Sequence, residues 1–244
     1  MARVLGISSF WKGFWSPLRA LKLILTSPGL FGLVLIPLLI NAVLYAAFFY
    51  YGAHYLDGLV GSANQYFITK LPESLAMTST WILKVLSWIS LIVVAAISFT
   101  IVSGIIAAPF NDLLCRKTIK LLKGNVPKNE ASIGQTIGLE VRRTALLLVG
   151  GLFSLILGII PLMQLPALAL ASILLSFEYF GYPVSQTSPK ISAALGFTLR
   201  HPFVSIGLGA FLLLLMAIPF ASIVYIPLAV VSGSMLHTEL KTQN

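Results

Sequence analysis

A single cysteine, Cys115, stands in a chain of 244 residues. No intramolecular disulfide can form, and no metal site can be built from thiolates. Histidine is nearly as scarce. His54, His201 and His237 lie far apart, with no partner at ligand spacing on one helix face. The sequence has no G-x-S-x-G and no glycine-rich phosphate loop, and its seven carboxylates are scattered. These absences argue against an enzyme, and neither catalytic residues, cofactor nor metal are expected. Charge is the most telling deficit. Only 9% of residues are charged, against about 25% in soluble domains. So few charges cannot cover a water-facing surface. With 58% hydrophobic residues and a mean hydropathy of +0.96, the chain reads as one integral membrane domain over 1–244.

The charge that is present is mostly positive, a net +9. Basic residues flank membrane segments and meet anionic lipid on the cytoplasmic side. No basic groove with stacking aromatics is visible, so no nucleic-acid partner is expected. The N-terminus does not read as a cleavable signal, because Lys12, Arg19 and Lys22 interrupt any apolar core.

Residues 8–25 have helical periodicity. Phe10, Phe14, Leu18, Leu21 and Leu25 recur every three or four positions, and Trp11 and Trp15 widen the stripe. This is an N-terminal amphipathic helix suited to the headgroup plane, with the partner being the bilayer. The alternative is a helix packed on the protein's own core. Pro17 either kinks it or marks a second start.

Two long apolar runs follow, 29–51 and 81–110. About 20 residues span the hydrocarbon, so both are long membrane helices. Asn41, inside the first, needs a partner and is expected to face protein or a watery cavity. Residues 52–80 read as a loop, and Pro109 in "APFND" as a break. The segment 112–143 carries seven basic residues, whereas 52–80 carries Lys70 alone. That asymmetry places 112–143 in the cytoplasm.

The rest is two broken runs, 144–177 and 203–236. "IIPLMQLP" interrupts the first and "AIPFASIVYIP" the second, a weak repeat pairing Pro161 with Pro219 and Pro166 with Pro227. The arms of the first run have about 17 and 11 residues. Eleven helical residues reach about 16 Å, half the bilayer core. Hemi-penetrating helical hairpins fit this, with turns buried in protein or lining a cavity; two short crossings per pair are the alternative. The fold class is therefore all-α integral membrane: an interfacial helix, two long transmembrane helices and two proline-broken hairpins. Pro161, Pro219, Asn41, Asn111 and Glu178 are the structural or pore candidates. Glu178 either pairs with a base across helices or sits at the interface.

Broken apolar helices are where transporters place polar backbone, and helix N-termini hold anions. No acid lies deep in a span, which points to an anion or neutral solute. "TSPGLFG", 26–32, is such a helix start, with Thr26 or Ser27 as N-cap and Pro28 at the first position.

Four stretches, "SPGLFGLVLIPLLIN", "IAAPFNDLL", "EYFGYP" and "IPFASIVYIPLAVVSGSML", in this order and over nearly the whole chain, resemble the CysZ sulfate permeases of bacterial inner membranes. The resemblance implies passive, channel-like uptake of sulfate or a related oxyanion for cysteine biosynthesis, by a dimer-based homo-oligomer. It also implies an anion site on Ser27, Pro28, Gly29 and Leu30. Where that family often carries arginine, Phe31 and Gly32 stand here; either Arg19 or Lys22 compensates, or the substrate is different, or the site is weak. Gly181 stands where an acid often precedes the "YP" pair. The alternative function is a non-transporting membrane scaffold or envelope-homeostasis protein of the same fold.

Overall fold

The computed structural model describes residues 6–70, 73–124, 133–218 and 222–242. Among these the chain forms α-helices and no strand. They are α1 (Ile7–Phe14), α2 (Ser16–Thr26), α3 (Pro28–Lys70), α4 (Glu73–Lys123), α5 (Ile133–Ile159), α6 (Gln164–Ser185), α7 (Ile191–Arg200), α8 (Pro202–Met216) and α9 (Ser222–Lys241). Four of them are long and apolar enough to cross a membrane, or five if α7 and α8, bent by 98° at their junction, count as one broken span. The chain is a multi-pass membrane protein.

Two compact units divide the chain: residues 35–109, and residues 1–34 with 110–244. The first consists of α3 from residue 35 to its end and α4 up to residue 109. Its residues 52–70 and 73–80 are helical, which corrects the expected loop at 52–80. The physical reason is local: Gly52, Gly58 and Gly61 are the only breakers before Pro72, and a helix leaving the membrane keeps its own hydrogen bonds. α4 also runs through Pro109 without a break. A proline in a membrane helix is tolerated where neighbours satisfy the freed carbonyl. Within this unit Gly52 leaves room for the Leu91 side chain, and Asn41 is half-buried and engaged.

The second unit is a close-packed bundle. Between helices in lipid, apolar burial drives little association, so small residues that let backbones touch do more. α1 crosses α8 in this way: a Cβ on Gly13 would strike the Val204 carbonyl, and one on Gly207 the Phe10 carbonyl. Phe14 then meets Phe211 edge to face at 5.4 Å. The segment 8–25 is broken at Trp15, and Pro17 sits at the start of α2, so proline marks the second start. Both readings of this segment have a counterpart. Ser9, Gly13, Ser16, Ala20 and Ile24 are buried on protein, while Trp11, Trp15, Leu18 and Leu25 stay exposed, as an interfacial helix requires.

An ion-pair bracket ties this N-terminal pair to α9. Glu239 accepts from Arg19 at 2.9 Å and lies 3.1 Å from Lys12. These groups are part-exposed, so each pair contributes at most about 1 kcal/mol. Glu239→Gln is expected to lower the thermal midpoint slightly and to speed proteolysis within 6–27. Both effects should shrink in high salt; equal cleavage of the two proteins would show that the bracket does not hold the segment.

The two broken runs need a correction. α5 and α6 have 27 and 22 residues, not 17 and 11. At about 1.5 Å per residue α6 reaches about 33 Å, enough to cross the core, so length does not restrict the first pair to half depth. Polar residues such as Glu178 and Tyr182 disguised the second half of α6 as loop. The turn between the pair is not buried within the chain either: Pro161 is exposed and Leu162, with left-handed backbone (φ 71°), is 93% exposed. In the second run α8 has only 15 residues. Pro219 lies outside the described residues.

Candidate functional site

The start of α3 is built by three consecutive devices. Ser27 has extended backbone (φ −114°, ψ 98°), which ends α2 and turns the chain. Pro28, whose missing N–H costs nothing at a first helical position, opens α3. The Ser27 carbonyl then accepts the amides of Leu30 at 2.9 Å and Phe31 at 3.0 Å. Leu30 is fully buried in the unit core. Its amide is therefore already used, and Gly29 is the residue whose N–H the helix start leaves as donor. Thr26 is not the cap, because its hydroxyl donates back to the carbonyls of Lys22 and Leu23.

The charge beside this helix start comes from a residue that reading the sequence did not single out. Lys117, on the last part of α4, lays its side chain against Gly29, so that a Cβ at Gly29 would overlap its Nζ and Cε. No local pattern encodes this. Lys117 reads as one base among seven in a cytoplasmic segment that is partly helical, and only the packing of α4 on α3 brings it to the site. Arg19 is elsewhere engaged, donating to Glu239 and, at 3.1 Å, to the Lys12 carbonyl. It stands seven residues before the end of α2, about 10 Å along the axis. Lys22 is exposed on α2, one turn before that end. The structure thus brings Ser27, Pro28, Gly29, Leu30 and Lys117 together, and gives Arg19 other partners.

Two of the remaining candidates, Glu178 and Asn111, belong to a polar seam along α6. Glu178 is half-buried and engaged. One turn on, the Arg143 guanidinium lies over the Tyr182 ring, 4.9 Å from its centroid. Arg143 is buried, although it reads in the sequence as a cytoplasmic base. A Cβ on Gly181 would overlap that guanidinium, which is why glycine suits this position. A turn further, Gln186 donates to Asp112 Oδ1 at 2.6 Å, and Arg116 donates to Oδ2 at 2.8 Å. Asn111 is buried beside them. Gln186 Oε1 is buried without a donor among the described residues, a place suited to an ordered water. Cys115, also buried here, has its thiol pushed up to about 12 by desolvation, so it is no nucleophile.

A helix start with a free amide, a lysine across it and no acid in its first turn suits an oxyanion. It is set on apolar helices long enough to span, those of a multi-pass membrane protein. The family model described as "Sulfate transporter CysZ/Etoposide-induced protein 2.4" matches residues 16–227, and the chain belongs to that family. It is 29% identical over 228 residues to a sulfate transporter CysZ of Pseudomonas syringae pv. tomato, covering 89% of this chain and 88% of that one. A protein of the same name from Pseudomonas aeruginosa is 29% identical over 234 residues, covering 89% and 90%. One from Pectobacterium atrosepticum is 25% identical over 230 residues, covering 87% and 80%.

Proposed function

We propose that the chain admits sulfate or a related oxyanion across the bacterial inner membrane, passively and by a channel-like route, and so supplies sulfur for cysteine biosynthesis. The relatives named for sulfate transport support the substrate class. The observation that carries the reading is the Lys117 ammonium against Gly29. It supplies at the α3 start the positive charge that Phe31 and Gly32 do not. A dianion there would meet the Gly29 amide, the Ser27 hydroxyl, the helix dipole and Lys117, with Lys22 adding long-range attraction.

A dimer-based homo-oligomer belongs to the same proposal. The exposed apolar side chains between Ile36 and Val94 support it. Reconstituted vesicles given radiolabelled sulfate, with sulfite as competitor, test the function. Uptake is expected to follow protein density and to fall several-fold in Lys22→Glu, because reversal turns an attractive field into a repulsive one. Uptake unchanged by that reversal would remove Lys22 from the site.

A further inference from the structure

A separate group of bases lies at the C-terminal ends of α4, α7 and α9, with Lys12 of α1 facing His201. His237 on α9 is only 7% exposed, and its imidazole rests on the Phe197 ring, with centroids 4.9 Å apart. His201, at the α7–α8 junction, lies on the same ring at 5.0 Å. The charges facing His237 are Lys241 on its own helix, Lys123 at the end of α4, and His201. Those facing His201 are Arg200 and Lys12. The nearby carboxylate, Glu239, is shared by Lys12 and Arg19.

We infer that Lys123, Lys241, His237 and His201, with Arg200 at the edge, form a second anion site, distinct from the α3 start, for a tetrahedral oxyanion carrying two negative charges. Like-charged groups from three helix ends repel one another, and a dianion between them relieves that repulsion. The imidazole of His237 couples the site to protons. Burial, then Lys241 and Lys123, hold it down at about 4, so it is neutral at pH 7. A bound dianion reverses the local field and raises the proton affinity of the ring. Binding then takes up a proton, and affinity rises as pH falls from 7 towards 5. Free phosphate or sulfate and a phosphomonoester lipid headgroup present the same chemistry.

The test uses the full chain in neutral detergent and in the Lys117→Gln background, which removes the α3 site from the readout. Inorganic sulfate, a dianion throughout this pH range, is titrated calorimetrically at pH 6 in two buffers of different ionisation heat. In parallel, nanodiscs of phosphatidylcholine with and without phosphatidate are compared for thermal stabilisation. The expected result is binding with net proton uptake that weakens at least ten-fold in Lys123→Gln/Lys241→Gln, both exposed positions whose loss spares the fold, and that loses its proton uptake in His237→Gln. Sulfate binding assigns a free ion. Stabilisation by phosphatidate alone, with the same dependence on the two lysines, assigns a lipid. Binding that survives the double substitution, or no response to either probe, overturns the inference. Neither result bears on sulfate flux through the α3 site.

Discussion

Lys117→Gln is expected to lower sulfate uptake into proteoliposomes by about ten- to a hundred-fold while leaving the protein folded. The substitution keeps a polar donor and removes charge. A charge-assisted hydrogen bond is worth roughly 1.5–3 kcal/mol, and each 1.4 kcal/mol is about ten-fold in occupancy. Lys117 is exposed, so its loss leaves no buried group unsatisfied. Lys117→Arg should retain most of the flux, because charge persists and guanidinium suits an oxyanion. Gly29→Ala approaches the same contact from the other side, since its methyl group would occupy the place of the lysine's end. It should cost less than Lys117→Gln, as a flexible side chain can withdraw. Uptake by Lys117→Gln at the unmodified rate would remove the ammonium from the site and leave the helix start alone.

The second large effect is structural. Gly209→Val is expected to destroy the bundle of residues 1–34 and 110–244, seen as aggregation or loss of a cooperative melt. The carbonyl of Ser172 stands where a Cβ on Gly209 would go, and backbone cannot withdraw as a lysine can. α8 would have to leave α6, breaking the bond from the Ser176 hydroxyl to the Ser205 carbonyl at 2.5 Å. Over-packing by even one methylene costs about 1–3 kcal/mol, and here a helix pair must separate. Gly151→Ala is the control. No atom lies within 4 Å of a Cβ there, and alanine gains about 1 kcal/mol of helix propensity. A normal melt for Gly209→Val would mean that the α6–α8 contact is looser than described.

Much of the architecture was legible in the sequence because composition decides it. So few charges force a membrane protein, and prolines in apolar runs mark the helix breaks near Pro161 and at Pro17. Helix extent was less legible. Residues 52–70 carry Asp57, Asn64, Gln65 and Lys70, which read as loop, yet outside the hydrocarbon a helix tolerates polar side chains on every face. The same holds for the end of α6, where Glu178, Tyr182 and Gln186 line a seam inside the bundle. The site was half legible. "SPG" announces a helix start because proline and glycine have local preferences, but the Lys117–Gly29 contact joins positions 88 apart and has no period. Arg143 was hidden for the opposite reason. An arginine beside a basic loop looks solvated, and only the missing side chain of Gly181 makes room to bury it.

The central claim is passive oxyanion flux, and the most direct measurement is radiolabelled sulfate entry into sealed liposomes containing only this chain. The assay omits ATP and imposes no cation gradient. Uptake proportional to protein density, driven by the sulfate gradient and competed by sulfite, is the predicted result. No uptake at high protein density, or uptake that requires ATP or a cation gradient, would contradict it.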